Sequence, residues 1–255
     1  MTTISSTPEV EMKTLRLAAC LFAVFFVCGC SGGGVTANPQ TAVGTPVSLK
    51  VFNGFFKGYT TAGSGTQLSF NNMTGAARFT NMSGVRCSGT YSMVAVGPTI
   101  FGTQQVTESS TTFAVQPDPT ASPSLLSQIP TSIVLQKYFL VSNGNLYKIT
   151  NAPGTLSYTP TSFTMPPNPA NVGDFGTIAS LDGIDGSKLD IGWELNPEFH
   201  GHSIMIITTT TRNILNLVTS TEVDKFYLDR KGNPYKLGIS VTIGGVTITL
   251  TGDKT

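Results

Sequence analysis

Beyond residue 46, apolar and polar residues alternate over short runs broken by Gly, Asn, Asp and Pro, and no long 3.6-residue apolar period is sustained. This is the periodicity of half-buried strands. It predicts strands at Val47 to Gly58, Gln67 to Phe70, Ala76 to Thr80, Val85 to Val96, Ile100 to Thr107 and Thr111 to Val115. Asn72-Met73-Thr74-Gly75 recurs nine residues later as Asn81-Met82-Ser83-Gly84, which reads as two successive turns because the period is not continued. Gln116 to Ser124 holds three prolines and an Asp and is the best internal boundary, with a helical turn expected around Ser124 to Gln128.

The second half carries sharper hairpin signals. Asn143-Gly144 is a two-residue turn, and simple pairing across it puts Tyr138, Leu140, Tyr147 and Ile149 on one face and Val141 and Leu146 on the other. Gly244-Gly245 sets Ile239, Val241 and Ile243 opposite Leu250, Ile248 and Val246, while Ser240, Thr242, Thr247, Thr249 and Thr251 point the other way. Glu222 to Leu228 pairs with Tyr235 to Ser240 across Asp229 to Pro234, and Ser203 to Thr211 extends this antiparallel sheet. Without helices, such a sheet buries its face against another sheet or the closed wall of a barrel. The fold expected is all-β: an antiparallel β-sandwich or two small β-subdomains.

Composition agrees. Charged residues are 11% of the 255, and Thr, Ser, Gly, Asn and Pro fill the deficit, a balance that suits strands and turns and disfavours long surface helices. The formal charge of +1 leaves no basic surface for phosphate neutralisation, so no nucleic-acid partner is expected.

The first 45 residues follow a different grammar. Met12-Lys13-Thr14-Leu15-Arg16 is a short basic start, before the apolar run Leu17 to Val27. Eleven helical residues rise about 16 Å, too little for a bilayer core of about 30 Å, so the run reads as the core of a signal peptide. Glu9 and Glu11 are foreign to such a leader, and translation is expected to begin at Met12.

Val27-Cys28-Gly29-Cys30-Ser31 then resembles the lipobox of bacterial lipoprotein signal peptides. The resemblance implies cleavage after Gly29, with Val27 and Gly29 read by the signal peptidase and the Cys30 thiol carrying diacylglycerol. Leu17-Ala18-Ala19-Cys20 matches the letters better, but cutting there leaves no apolar run upstream. Cys28 follows the bulky Val27 where a small residue is needed. A di- or tri-acylated cysteine supplies the two lipid signals or more that stable anchoring takes. Ser31 after the lipidated position implies delivery to the outer membrane.

The chain therefore divides into 1–29, a signal peptide; 30–45, lipidated Cys30 and a flexible tether of about 20 Å reach; 46–116, an N-terminal β-rich part; 117–131, a Pro-rich linker; and 132–255, a C-terminal β-meander. After processing Cys87 is the one cysteine with a free thiol. It is either a reactive thiol or a small buried side chain in a strand, and the latter is preferred because no His lies near it in sequence.

Candidate chemistry is sparse. His200 and His202, if extended, project to one side about 7 Å apart, and Glu194 or Glu198 completes a zinc set. The motif lacks the fixed spacing of zinc enzymes, so no metal or other cofactor is assigned. Asp182-Gly183-Ile184-Asp185-Gly186 and Asp190 offer oxygen ligands, yet without EF-hand order they read as turns between strands. No Gly-x-Ser-x-Gly elbow or phosphate loop occurs. Asn72-Met73-Thr74 and Asn81-Met82-Ser83 fit the glycosylation pattern but mark polar turns.

Three function classes follow. The first is a non-catalytic envelope lipoprotein for adhesion, assembly or scaffolding, held to the membrane by its lipid and meeting an envelope protein or glycan. The second is a carrier of an apolar ligand such as lipid. Phe226-Tyr227-Leu228-Asp229, then Gly232-Asn233-Pro234-Tyr235-Lys236-Leu237 and the Gly-rich hairpin, resembles the final strands of the LolA and LppX lipoprotein carriers. The long helices that line a lipid cavity in those folds have no counterpart in the pattern. The third is a metal-dependent hydrolase using His200 and His202.

Overall fold

A computed structural model describes residues 40–57, 67–80, 84–151 and 154–255. The leader, Val27, Gly29, Cys30, most of the tether and Asn81-Met82-Ser83 lie outside the described residues. Asn38–Thr255 forms one compact unit.

The chain runs β1 (Pro46–Val47), α1 (Lys50–Lys57), β2 (Gln67–Phe79), β3 (Val85–Phe101), β4 (Gln104–Pro117), α2 (Pro123–Leu126), β5 (Ser132–Leu140), β6 (Leu146–Asn151), β7 (Ser157–Phe163), β8 (Ala170–Asn171), β9 (Phe175–Gly183), β10 (Lys188–Pro197), β11 (Ser203–Arg212), β12 (Val218–Leu228), β13 (Pro234–Ile243) and β14 (Val246–Asp253). Twelve of the strands close into one antiparallel barrel in the order β10-β11-β12-β13-β14-β2-β3-β4-β5-β6-β7-β9, and β1 pairs with β8 apart from it. The all-β class stands, but the sandwich is replaced by a barrel.

Closure comes from β14 pairing with β2, where Val246 faces Phe79 and Leu250 faces Gly75. Parts 46–116 and 132–255 are therefore not separate subdomains, since strands of both make a single wall. The 117–131 segment joins β4 to β5, neighbours in that wall, and folds back on the core through buried Ile129 with Leu125 and Ala121 packed beside it.

Period-2 alternation decides which face is dry. Leu189, Ile191, Trp193 and Leu195 of β10 point in, while Asp190, Glu194 and Asn196 point out. The β13–β14 register follows the alternation residue for residue, with Ile239 on Leu250 and Val241 on Ile248. Elsewhere bulges shift the phase. In β5–β6, Tyr138 pairs with Lys148 and Phe139 with Leu146, so the extra residue Tyr147 turns both Leu146 and Ile149 inward. Tyr138 consequently faces outward and stacks on Phe101 with ring centroids 4.3 Å apart. The first Asn-Met-Thr-Gly repeat is a bulge inside β2, where Asn72 takes φ 52, rather than a turn.

Of the strand expected at Val47 to Gly58, only Val47 is in a strand and Lys50–Lys57 is helix, while Gly58 lies outside the described residues. Phe52, Phe55 and Phe56 recur at helical spacing and are all buried, so α1 lays one apolar face on the barrel interior. Phe52 packs edge-on against Phe226, and Phe56 against Phe139. Ser109 Oγ donates to the Phe55 carbonyl at 2.9 Å, and Thr107 Oγ1 to the Lys57 carbonyl. These two inward hydroxyls hold the helix across the proximal end of the barrel, the end at which residues 40–49 enter.

The wall is flattened. Around a circular twelve-strand barrel with strands about 4.8 Å apart and tilted about 40°, positions four strands apart are separated by about 20 Å. Tyr91 of β3 and Asp224 of β12 are such a pair, yet their side chains meet at 3.3 Å. Two facing layers thus share one core, which explains why the pattern read as a sandwich.

Candidate functional site

The centre of the barrel holds charge. Lys137 of β5, Glu222 and Asp224 of β12, Tyr91 of β3 and Thr111 of β4 point into one small cavity roofed by Phe52 and Phe56. Lys137, Asp224, Tyr91 and Thr111 are buried, and Glu222 keeps partial exposure. Lys137 Nζ donates to Thr111 Oγ1 at 2.7 Å and lies over the Phe56 ring, 4.9 Å from its centroid. Tyr91 Oη donates to Asp224 Oδ2.

Burial dominates the ionisation of all four titratable groups. It lowers Lys137 to about 8, against the opposing pull of Glu222 and Asp224. It raises Glu222, which Lys137 partly offsets. Asp224 rises well above the carboxylate range through burial and then through the charge of Glu222. Tyr91 is raised by burial and by both acids. Asp224 Oδ1 is buried with no conventional donor facing it.

The cavity measures about 30 Å³. That is room for one or two water molecules. The cluster therefore works as a polar strut joining strands on opposite sides of the wall. Its signal was present in the sequence: Lys137 shares the phase of Leu135 and Phe139, and Glu222 and Asp224 share that of Phe226 and Leu228.

The candidate metal residues sit at the proximal end, in the β10–β11 connection. His200 and Gly201 have φ of 62° and 77°, so the segment is a turn and not extended. The two imidazole rings lie 6.5 Å apart, tilted by 56°. His202 Nδ1 meets Tyr235 Oη at 3.2 Å, and the His200 carbonyl accepts from Arg230 Nε. The Glu198 carbonyl accepts from the Thr41 amide and hydroxyl, and the Glu194 carboxylate accepts from Asn196. Among the described residues no three of His, Cys, Asp and Glu converge on a common point.

The Asp-rich segment caps the β9–β10 turn: Asp185 Oδ1 accepts from the Ser187 amide and hydroxyl, and Asp190 accepts from Ser180 and pairs with Arg212 at 3.8 Å. Cys87 occupies an inward position of β3 and is buried, with its thiol pKa raised by that burial.

Comparison with protein-family models, with curated proteins and with solved structures finds no match to this chain.

Proposed function

We propose that the protein is an outer-membrane lipoprotein of the bacterial envelope, anchored through Cys30, whose barrel is a non-catalytic module for adhesion, assembly or scaffolding. The observation that supports the non-catalytic part is the filled interior: its titratable groups adjoin a cavity of about 30 Å³, which admits water and no organic substrate. Contacts with an envelope protein or glycan are then made by the outer wall and the loops. The same filling favours this reading over carriage of a lipid, since three phenylalanines of α1 take the place a ligand would need.

Metabolic labelling with an alkyne-tagged fatty acid tests the anchor. The protein should take up label and partition with membranes, and Cys30→Ser should lose the label; a labelled Cys30→Ser chain would overturn the assignment. Native mass spectrometry tests the carrier alternative, which predicts a co-purified lipid where the scaffold reading predicts the bare mass.

A further inference from the structure

The distal end of the barrel carries an unusual turn. Between β11 and β12 the chain reads Asn213-Ile214-Leu215-Asn216-Leu217, with Ile214 74%, Leu215 73% and Leu217 60% exposed. These side chains are presented by a well-bonded turn. Asn213 Oδ1 accepts from the amides of Leu215 and Leu217, the Asn213 amide donates to the Leu217 carbonyl, and the Asn216 amide donates to the Asn213 carbonyl. Exposed Val218 follows it at the start of β12, exposed Ile184 and Ile243 flank it on the neighbouring hairpins, and Gly186 lies against Ile214, so the adjacent turns touch. No charge occurs from residue 213 to residue 221.

We propose that this distal turn inserts into a lipid bilayer, as a second membrane contact beside the acyl anchor. The choice of a bilayer rests on the anchored-lipoprotein reading. The tip is uncharged and has four of its amides bonded internally, which lowers the cost of entering the bilayer, since lipid offers backbone amides no partner. Reach agrees. The ten steps from Cys30 to Gln40 extend to about 35 Å, and ten-residue strands at about 40° make a wall about 25 Å high. The bilayer that holds the anchor is therefore within range of the distal end when the barrel lies on its side, at the high effective concentration that tethering gives.

The polar rim selects no anionic headgroup. Lys188 and Arg212 stand beside Asp182 and Asp190, so the charges balance and zwitterionic lipid is the expected partner.

Leu215→Trp, purified as the lipidated protein and reconstituted in phosphatidylcholine vesicles, tests the idea. Ile100→Trp is the control, an exposed site at the proximal end that leaves the buried Trp193 background unchanged. The introduced indole at 215 should emit further to the blue than the control and be quenched several-fold more strongly by brominated acyl chains. Water-like, unquenched emission would overturn the proposal. So would a blue shift that depends on protein concentration and not on lipid, which would mean that the tip docks on a second copy. Fatty-acid labelling reads separately: label with no quenching sinks the insertion and spares the anchor. Chains that take no label are tested with added vesicles, where quenching sustains the insertion and its absence overturns it.

Discussion

Lys137, Glu222 and Asp224 set the pH behaviour of the fold. Asp224 and Glu222 have folded values above their ordinary 3.8 and 4.5, so over that interval the folded chain holds more protons than the unfolded chain. Stability therefore falls as pH rises through the interval and returns on acidification. Asp118, Asp185 and Asp229 act in the opposite sense, because hydrogen bonds hold them below 3.8, and their contribution is lost as pH falls below that value. The expected outcome is a melting temperature higher near about pH 5 than at pH 7, and Asp224→Asn should flatten that slope. Lys137, lowered from 10.5 to about 8, adds stability as pH rises between those values. Lys137→Met should cost about 3 kcal/mol in urea denaturation at pH 7, because it removes the buried Lys137–Thr111 hydrogen bond and leaves the Glu222 and Asp224 carboxyls without the cation that offsets their burial. These residues were legible as strand positions of the wrong polarity. What the sequence could not supply was that β5 and β12 face each other, which depends on closure of the wall.

At the scale of elements, α1 is the piece that strand alternation concealed. Val47, Leu49 and Val51 continue a period of two, while Phe52, Phe55 and Phe56 follow the helical one, and the two patterns overlap in a segment too short to separate them. Phe52→Ala should destabilise the barrel by about 3–5 kcal/mol, the usual cost of an aromatic cavity, and should expose the interior to a hydrophobic dye. Gly232 is a second lever on the same helix. It holds φ +80 in the β12–β13 turn, and a methyl group there meets the Ser48 carbonyl just before α1. Gly232→Ala should lower the melting temperature without touching the central cluster. The β13–β14 hairpin was fully readable because its turn is two residues and its strands carry no bulge. The β5–β6 hairpin was not, since the bulge at Tyr147 inverts the phase that Asn143-Gly144 alone would set.

For the whole molecule, one closed wall implies one cooperative unit. Fragments 40–117 and 132–255 each contain several strands but neither closes, and each is expected to show no dispersed amide spectrum when expressed alone. A folded fragment would revive the two-subdomain reading. In the intact chain, near- and far-ultraviolet circular dichroism should report one shared unfolding transition. Cys87 gives an independent check, since its buried thiol should resist alkylation until that same transition. All-β character and most strands followed from periodicity. Closure did not, because a flattened barrel and a sandwich bury the same residues and differ in whether β14 finds β2.

That last pairing orders events in time. The seam joins residues 246–251 to residues 74–79, so no native barrel exists until almost the entire chain is available for pairing. Until the closing strand arrives, β2 and β13 are left as the two unpaired edges of an open sheet, a long interval in which neighbouring chains compete for the same hydrogen bonds. The yield of native protein is thus governed by how well those edges are shielded before the seam forms.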